Sequence, residues 1–130
     1  MYGALSPLPV AALRLDPEVI PEAAPESEVP EPEDEMTLES FTHLSAIAMV
    51  TESVRLGHMV ICTAFRNPAL TAKLASTLDV ISNGRFEIGI GAGWKKDEWL
   101  AYGYGFPPIK ERLDTFEEHL EVITRMLAPG

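Results

Sequence analysis

Residues 54–99 read VRLGHMVICTAFRNPALTAKLASTLDVISNGRFEIGIGAGWKKDEW, and this stretch decides the fold. Val54 to Ile61 is expected to form a strand that tolerates Gly57. Asn67-Pro68 then marks a helix start. The Asn side chain accepts from free N–H groups, and proline suits the first helical position, where its missing N–H costs nothing. The helix runs through Leu70, Leu74, Leu78 and Ile81. Asn83-Gly84 supplies a left-handed C-terminal cap. Phe86 to Ile90 is nearly continuous in apolar residues, as suits a strand buried on both faces of a parallel sheet.

Working outward, Thr37 is expected to cap a helix carrying Leu38, Phe41, Leu44, Ile47 and Ala48 at helical spacing and ending near Glu52. A third helix is expected from about Trp94–Lys96 to Tyr102, followed by a loop from Gly103 to Pro108. A last amphipathic helix places Leu113, Phe116, Leu120, Ile123 and Leu127 at spacings of three and four. Strands separated by a long helix pair in parallel through right-handed crossovers. Two α/β architectures satisfy this order, an open doubly wound sheet and a (β/α)8 barrel. Both put ligands beyond the C-terminal ends of the strands, so the informative residues follow Ile61 and Ile90.

The bulk numbers bound the rest. The 130 residues carry 46% hydrophobic and 23% charged residues, a globular composition. Residues 1–36 hold nine acids against Arg14 alone, hence −8 of the net −10, and seven of the eleven prolines. This acidic segment is expected to be a disordered tail, with one domain over residues 37–130. No Lys/Arg cluster is present to neutralise phosphates, which disfavours nucleic acid as a partner. The lone Cys62 excludes an internal disulfide or a cysteine-based zinc site and fits a reducing, cytoplasmic setting. No apolar run approaches the length of a membrane helix, and Pro7 and Pro9 argue against a signal peptide.

Two loops hold candidate chemistry. In Gly89-Ile90-Gly91-Ala92-Gly93-Trp94, glycines let a ligand approach the backbone, or merely permit a tight turn; the loop by itself leaves both open. A dinucleotide fingerprint fits poorly, because its third glycine falls where Trp94 stands. In the other loop, Cys62 reads more readily as a small buried apolar residue than as a nucleophile. His58 lies four residues back on one strand, roughly 13 Å away, too far for a thiolate pair. Arg66 is either an anion clamp or an arginine paired with an acid. Asp97 and Glu98 suit a first helical turn by their charge. His43 and His119 read as surface or packing residues. Tyr102, Tyr104 and Phe106 either wall a pocket or pack the rim.

Taken together, residues 55–60 (RLGHMV), 66–69 (RNPA), 77–85 (TLDVISNGR) and 89–94 (GIGAGW) with Glu98, and Tyr102-Gly103 leading to Phe106-Pro107, resemble the bacterial luciferase-like monooxygenase family. The likeness extends from about Thr37 to Leu127 and is closest to the branch that uses coenzyme F-420. It implies a partial (β/α)8 TIM barrel, with about two strand–helix units and a preceding helix. It further implies an oxidoreductase fragment acting by hydride transfer or monooxygenation on a small organic substrate. The implied cofactor is coenzyme F-420, a deazaflavin, with FMN the alternative. Cofactor contacts fall on Met59, Val60, Cys62, Ala92, Gly93, Trp94 and Asp97, with a cis peptide between Met59 and Val60. Relatives with a carboxylate at the Trp94 position use it in acid–base chemistry, so no catalytic residue is assigned and no metal is expected. The alternative function is a non-catalytic remnant that assembles with another chain or with itself to complete the barrel.

Overall fold

The computed structural model describes residues 38–128. The acidic segment 1–36 and the proposed cap Thr37 lie outside the described residues. Helix α1 spans Ser40–Val50, two residues short of the expected end. Its N-cap is Glu39, whose carboxylate accepts from the backbone N–H of Phe41 (3.2 Å) and Thr42 (2.8 Å). Burial alone would raise the pKa of Glu39. The bonds from the Thr42 N–H and hydroxyl, the Phe41 N–H and Arg66 outweigh it and bring the group from 4.5 down to about 2.

The two expected strands are each broken in two. Strand β1 is Leu56–Gly57 and β2 is Ile61–Cys62; β3 is Phe86–Glu87 and β4 is Ile90–Gly91. β1 pairs in parallel with β3, Leu56 opposite Phe86 and Gly57 opposite Glu87. β2 pairs in parallel with β4, Ile61 opposite Ile90 and Cys62 opposite Gly91. Between those registers the first chain segment advances four residues and the second only three. One extra residue therefore bulges out over His58–Val60, which is why neither strand runs unbroken. The Met59–Val60 peptide within that bulge is cis, the geometry the resemblance implied. Opposite it, a Cβ on Gly89 would land on the His58 carbonyl oxygen, so residue 89 has to be glycine for lack of space.

Helix α2, Pro68–Ile81, makes the parallel crossover. Its start is as expected: Asn67 Oδ1 accepts from Ala69 N–H at 2.9 Å, and Pro68 opens the helix. Asn83 (φ 56°) and Gly84 (φ 77°) turn the chain out of it through the left-handed region. Helix α3 is short, Lys96–Ala101, and α4 runs Ile109–Leu127 and packs on α2. The core gathers Phe41, Ala48, Leu56, Ile61, Ala75, Leu78 and Phe86 between α1, α2 and the strands. Arg85 locks the ends together. Its guanidinium donates to the carbonyls of Ala48 and Thr51 at the end of α1, to Val54 O, to Thr51 Oγ1 and, through Nε, to Ser82 O. Free carbonyls at two helix ends are thereby satisfied by one side chain. The element order and parallel pairing are those of a partial α/β barrel.

Candidate functional site

The ends of β2 and β4 face each other and form one cleft. Its narrower part, about 190 Å³, is lined by Met59, Val60, Ile61, Cys62, Phe65, Gly93, Trp94, Lys95, Glu98 and Trp99. Five of the seven residues expected at a cofactor, namely Met59, Val60, Cys62, Gly93 and Trp94, are thus brought together from two loops about thirty residues apart. Ala92 is half-buried, Asp97 is exposed in the first turn of α3, and neither lines this cavity.

One side of the cavity is apolar and uncovered, while Lys95 and Glu98 make another side charged. Met59 is 101% exposed and Trp94 80%, with Val60 also open. Large apolar side chains standing free along a concave wall are the surface a flat aromatic group would cover. Gly93 forms the bottom. It sits at φ 78°, and a Cβ there would stand 2.5 Å from Cys62 Sγ and 2.8 Å from Trp99 Nε1. Both the left-handed backbone and the crowding call for glycine. Trp99, 4% exposed, leaves its indole N–H without an acceptor among the described residues.

Cys62 is half-buried at the junction. Burial pushes its thiol pKa up and the Glu98 carboxylate adds to this, against the opposing Ala64 and Phe65 N–H groups and Arg112. The thiol is therefore held protonated at neutral pH and lacks the thiolate a nucleophile needs. Arg66, for its part, is paired: it meets Glu39 at 2.5 Å and stacks over Phe41. His58 is sandwiched between Phe41 and Phe86, with ring centroids at 4.5 and 5.4 Å.

An aromatic cluster backs the cleft. Phe65 stacks on Tyr104 (5.2 Å, 19°) and meets Trp99 and Tyr102 edge-on, while Phe106 meets Trp99 at 6.0 Å. Tyr104 donates its hydroxyl to Phe65 O at 2.9 Å. The cluster ties the turn after β2 to the loop after α3, so the loop tyrosines serve as packing. Arg112 of α4 completes the support by donating to Gly93 O and Pro107 O and lying over Phe106. Trp99, Phe65 and Glu98 were not singled out in the sequence as site residues. For Trp99 the available signal was a large aromatic one turn into the helix that follows the glycine loop.

A wider part of the cleft, about 670 Å³, adjoins the first. Leu38, Glu39 and Ser40 line one side, Arg66 and Phe65 another, and Glu98, Tyr102 and Tyr104 the third, over Val60, Ile61 and Cys62. Among the described residues no cluster of metal-ligating groups occurs, and no helix is long and apolar enough to cross a membrane.

Comparison with known proteins identifies the family. Residues 23–129 match the model of a family described as luciferase-like monooxygenase. The pyrimidine monooxygenase RutA of Yersinia enterocolitica is 38% identical over 95 residues, covering 72% of this chain and 26% of that protein. Its namesake from Pseudomonas savastanoi pv. phaseolicola is 37% identical over 98 residues, 74% of this chain and 27% of that protein. Among solved structures, the monooxygenase RslO1 from Streptomyces bottropensis superimposes with a TM-score of 0.60 at 31% identity, over 67% of this chain and 26% of that one. The chain spans about a quarter of the length of the relatives it matches.

Proposed function

Because the chain belongs to the luciferase-like monooxygenase family, we propose that it forms one wall of the flavin pocket of a monooxygenase. The observation that carries this reading is the bare apolar wall of Met59, Val60 and Trp94 over Gly93. In this reading Met59–Val60 backs the ring and Cys62 flanks it, while Ala92, Gly93, Trp94 and Asp97 follow its edge and side chain. A reduced flavin would supply the electrons that activate dioxygen, and the chain supplies position and exclusion of water. The relatives are named as monooxygenases, and oxygen insertion requires a flavin that reacts with dioxygen. FMN therefore suits the pocket better than coenzyme F-420, the cofactor first expected, whose deazaflavin ring is a hydride carrier. The substrate is a small organic molecule, for which the pyrimidines of the relatives' names are the first class to try.

The test is a fluorescence titration of the full chain with FMN and, separately, with coenzyme F-420. Saturable quenching of FMN, weakened in Trp94→Ala, supports the assignment. Preference for coenzyme F-420 would overturn the choice of flavin, and saturation by neither would overturn the pocket. A second reading, assembly with a second copy of this chain, is favoured by one observation: among the described residues each sheet has two strands and leaves its outer edges unpaired. A concentration-dependent mass in sedimentation would support it, and a strictly monomeric chain would refute it.

A further inference from the structure

We propose that Met59 is a modification site, where hydrogen peroxide oxidises the thioether to a sulfoxide and so closes the apolar wall to a flat aromatic ligand. The effect on the ligand rests on the reading above, in which the narrower cavity holds the flavin; the modification itself does not. The bulge stands Met59 clear of its neighbours, fully exposed, between two concavities. One is the narrower part of the cleft; the other, about 290 Å³, is lined with it by Leu38, His43, Leu44 and His58. The side chain is open to small molecules from both. Met49 in α1 and Met126 in α4 are 74% and 53% exposed and line neither cavity. Met1 and Met36 lie outside the described residues.

Two sulfur side chains line the narrower cavity, and they differ in what peroxide requires of them. A thiol reacts as its thiolate, and Cys62 is half-buried and held protonated. A thioether carries its lone pairs at every pH and needs only access. In the step, a sulfur lone pair of Met59 forms a bond to one peroxide oxygen as the O–O bond breaks. The departing hydroxide takes up the proton left on the transferred oxygen, giving sulfoxide and water; sulfur loses two electrons and the peroxide gains them. In the flavin reading, dioxygen reduced with no substrate to receive the oxygen leaves as hydrogen peroxide, so the oxidant arises beside this wall. The sulfoxide places a hydrogen-bond acceptor in the wall next to Val60. A flat ring laid face-on over it strips that oxygen of water and supplies no donor in return.

The experiment exposes the full chain, wild type and Met59→Leu, to hydrogen peroxide at pH 6 and pH 8, with and without FMN. Peptide mass mapping follows the oxygen gained at each methionine and at Cys62, and FMN is titrated before and after. The expected result is oxidation of Met59 at least fivefold faster than of Met49 or Met126, ahead of Cys62, and at the same rate at both pH values. Bound FMN slows it. The oxidised wild type binds FMN at least tenfold more weakly, a loss that methionine sulfoxide reductase reverses and that treated Met59→Leu does not show relative to its own untreated affinity. Equal rates at the three methionines, or oxygen entering at Cys62 first, would overturn the modification site. An FMN affinity unchanged by the oxidation, or the same loss in treated Met59→Leu, would overturn its effect on the ligand. Selective oxidation of Met59 in a chain that binds no FMN would sink the flavin reading alone.

Discussion

Substituting Gly89 by alanine tests the register that builds the cleft. A Cβ at residue 89 would overlap the His58 carbonyl oxygen and stand 3.0 Å from Val60 Cγ1 and 3.1 Å from the His58 carbonyl carbon. Two of these three neighbours are backbone, which cannot rotate aside, so the bulge and β4 have to separate. The Ile61 N–H to Gly89 O bond, 3.0 Å long, lies at that point and is lost with the movement. One lost hydrogen bond costs about 1 kcal/mol and overpacking about 1–3 kcal/mol, so Gly89→Ala should destabilise by about 2–4 kcal/mol. Gly91→Ala is the internal comparison. Its Cβ meets only Val60 Cγ2, at 3.1 Å, a side-chain methyl free to turn, and its cost should stay below about 1 kcal/mol. Urea unfolding followed by circular dichroism reads both. A Gly89→Ala midpoint indistinguishable from that of Gly91→Ala would refute the steric argument.

Three further outcomes are expected. Arg85→Met should lower stability by about 2–4 kcal/mol in thermal melts by leaving four carbonyls and a hydroxyl without their donor; Arg85→Lys should recover less than half, since an ammonium lacks the fork. His58 has its pKa lowered, chiefly by burial and further by Arg66, against the opposing Ser40 backbone and Glu39. Its contribution to stability is therefore present above its ordinary value of 6.5 and lost as pH falls below it, and His58→Phe should flatten the fall in unfolding midpoint between pH 7 and 5. Gly93→Ala should cost about 1–2 kcal/mol for its φ alone and weaken FMN binding at least tenfold, with Cys62→Ala restoring part of both by removing the sulfur that stands 2.5 Å from the new Cβ.

Features set by neighbours in sequence could be read directly. The Asn67-Pro68 start and the Asn83-Gly84 stop of α2 depend on a few adjacent residues, and both are as expected. The amphipathic spacing of α4 likewise found its face against α2. Glu39 as the cap of α1 was not legible. A glutamate is a poor cap by preference, and this one is held in place by Arg66, 27 residues away. The bulge escaped for a related reason: a one-residue slip between two parallel strands leaves no mark in the periodicity of either. Most of the site emerged because the resemblance joined two loops whose individual readings were open. Trp99 and Glu98 stayed hidden, since what distinguishes them is burial without a partner in one case and exposure at a junction in the other.

Arg112 ties the middle of the cleft to the end of the chain. From the first turn of α4 it holds the Gly93 carbonyl, while His119 lies 3.3 Å from the Thr63 carbonyl beyond the other strand. The floor and the last helix consequently report on each other by thermodynamic linkage. A molecule seated on the wall will slow amide exchange along α4, a helix whose backbone it does not touch. Trimming that helix will in turn loosen the seat before it disturbs any residue the molecule contacts.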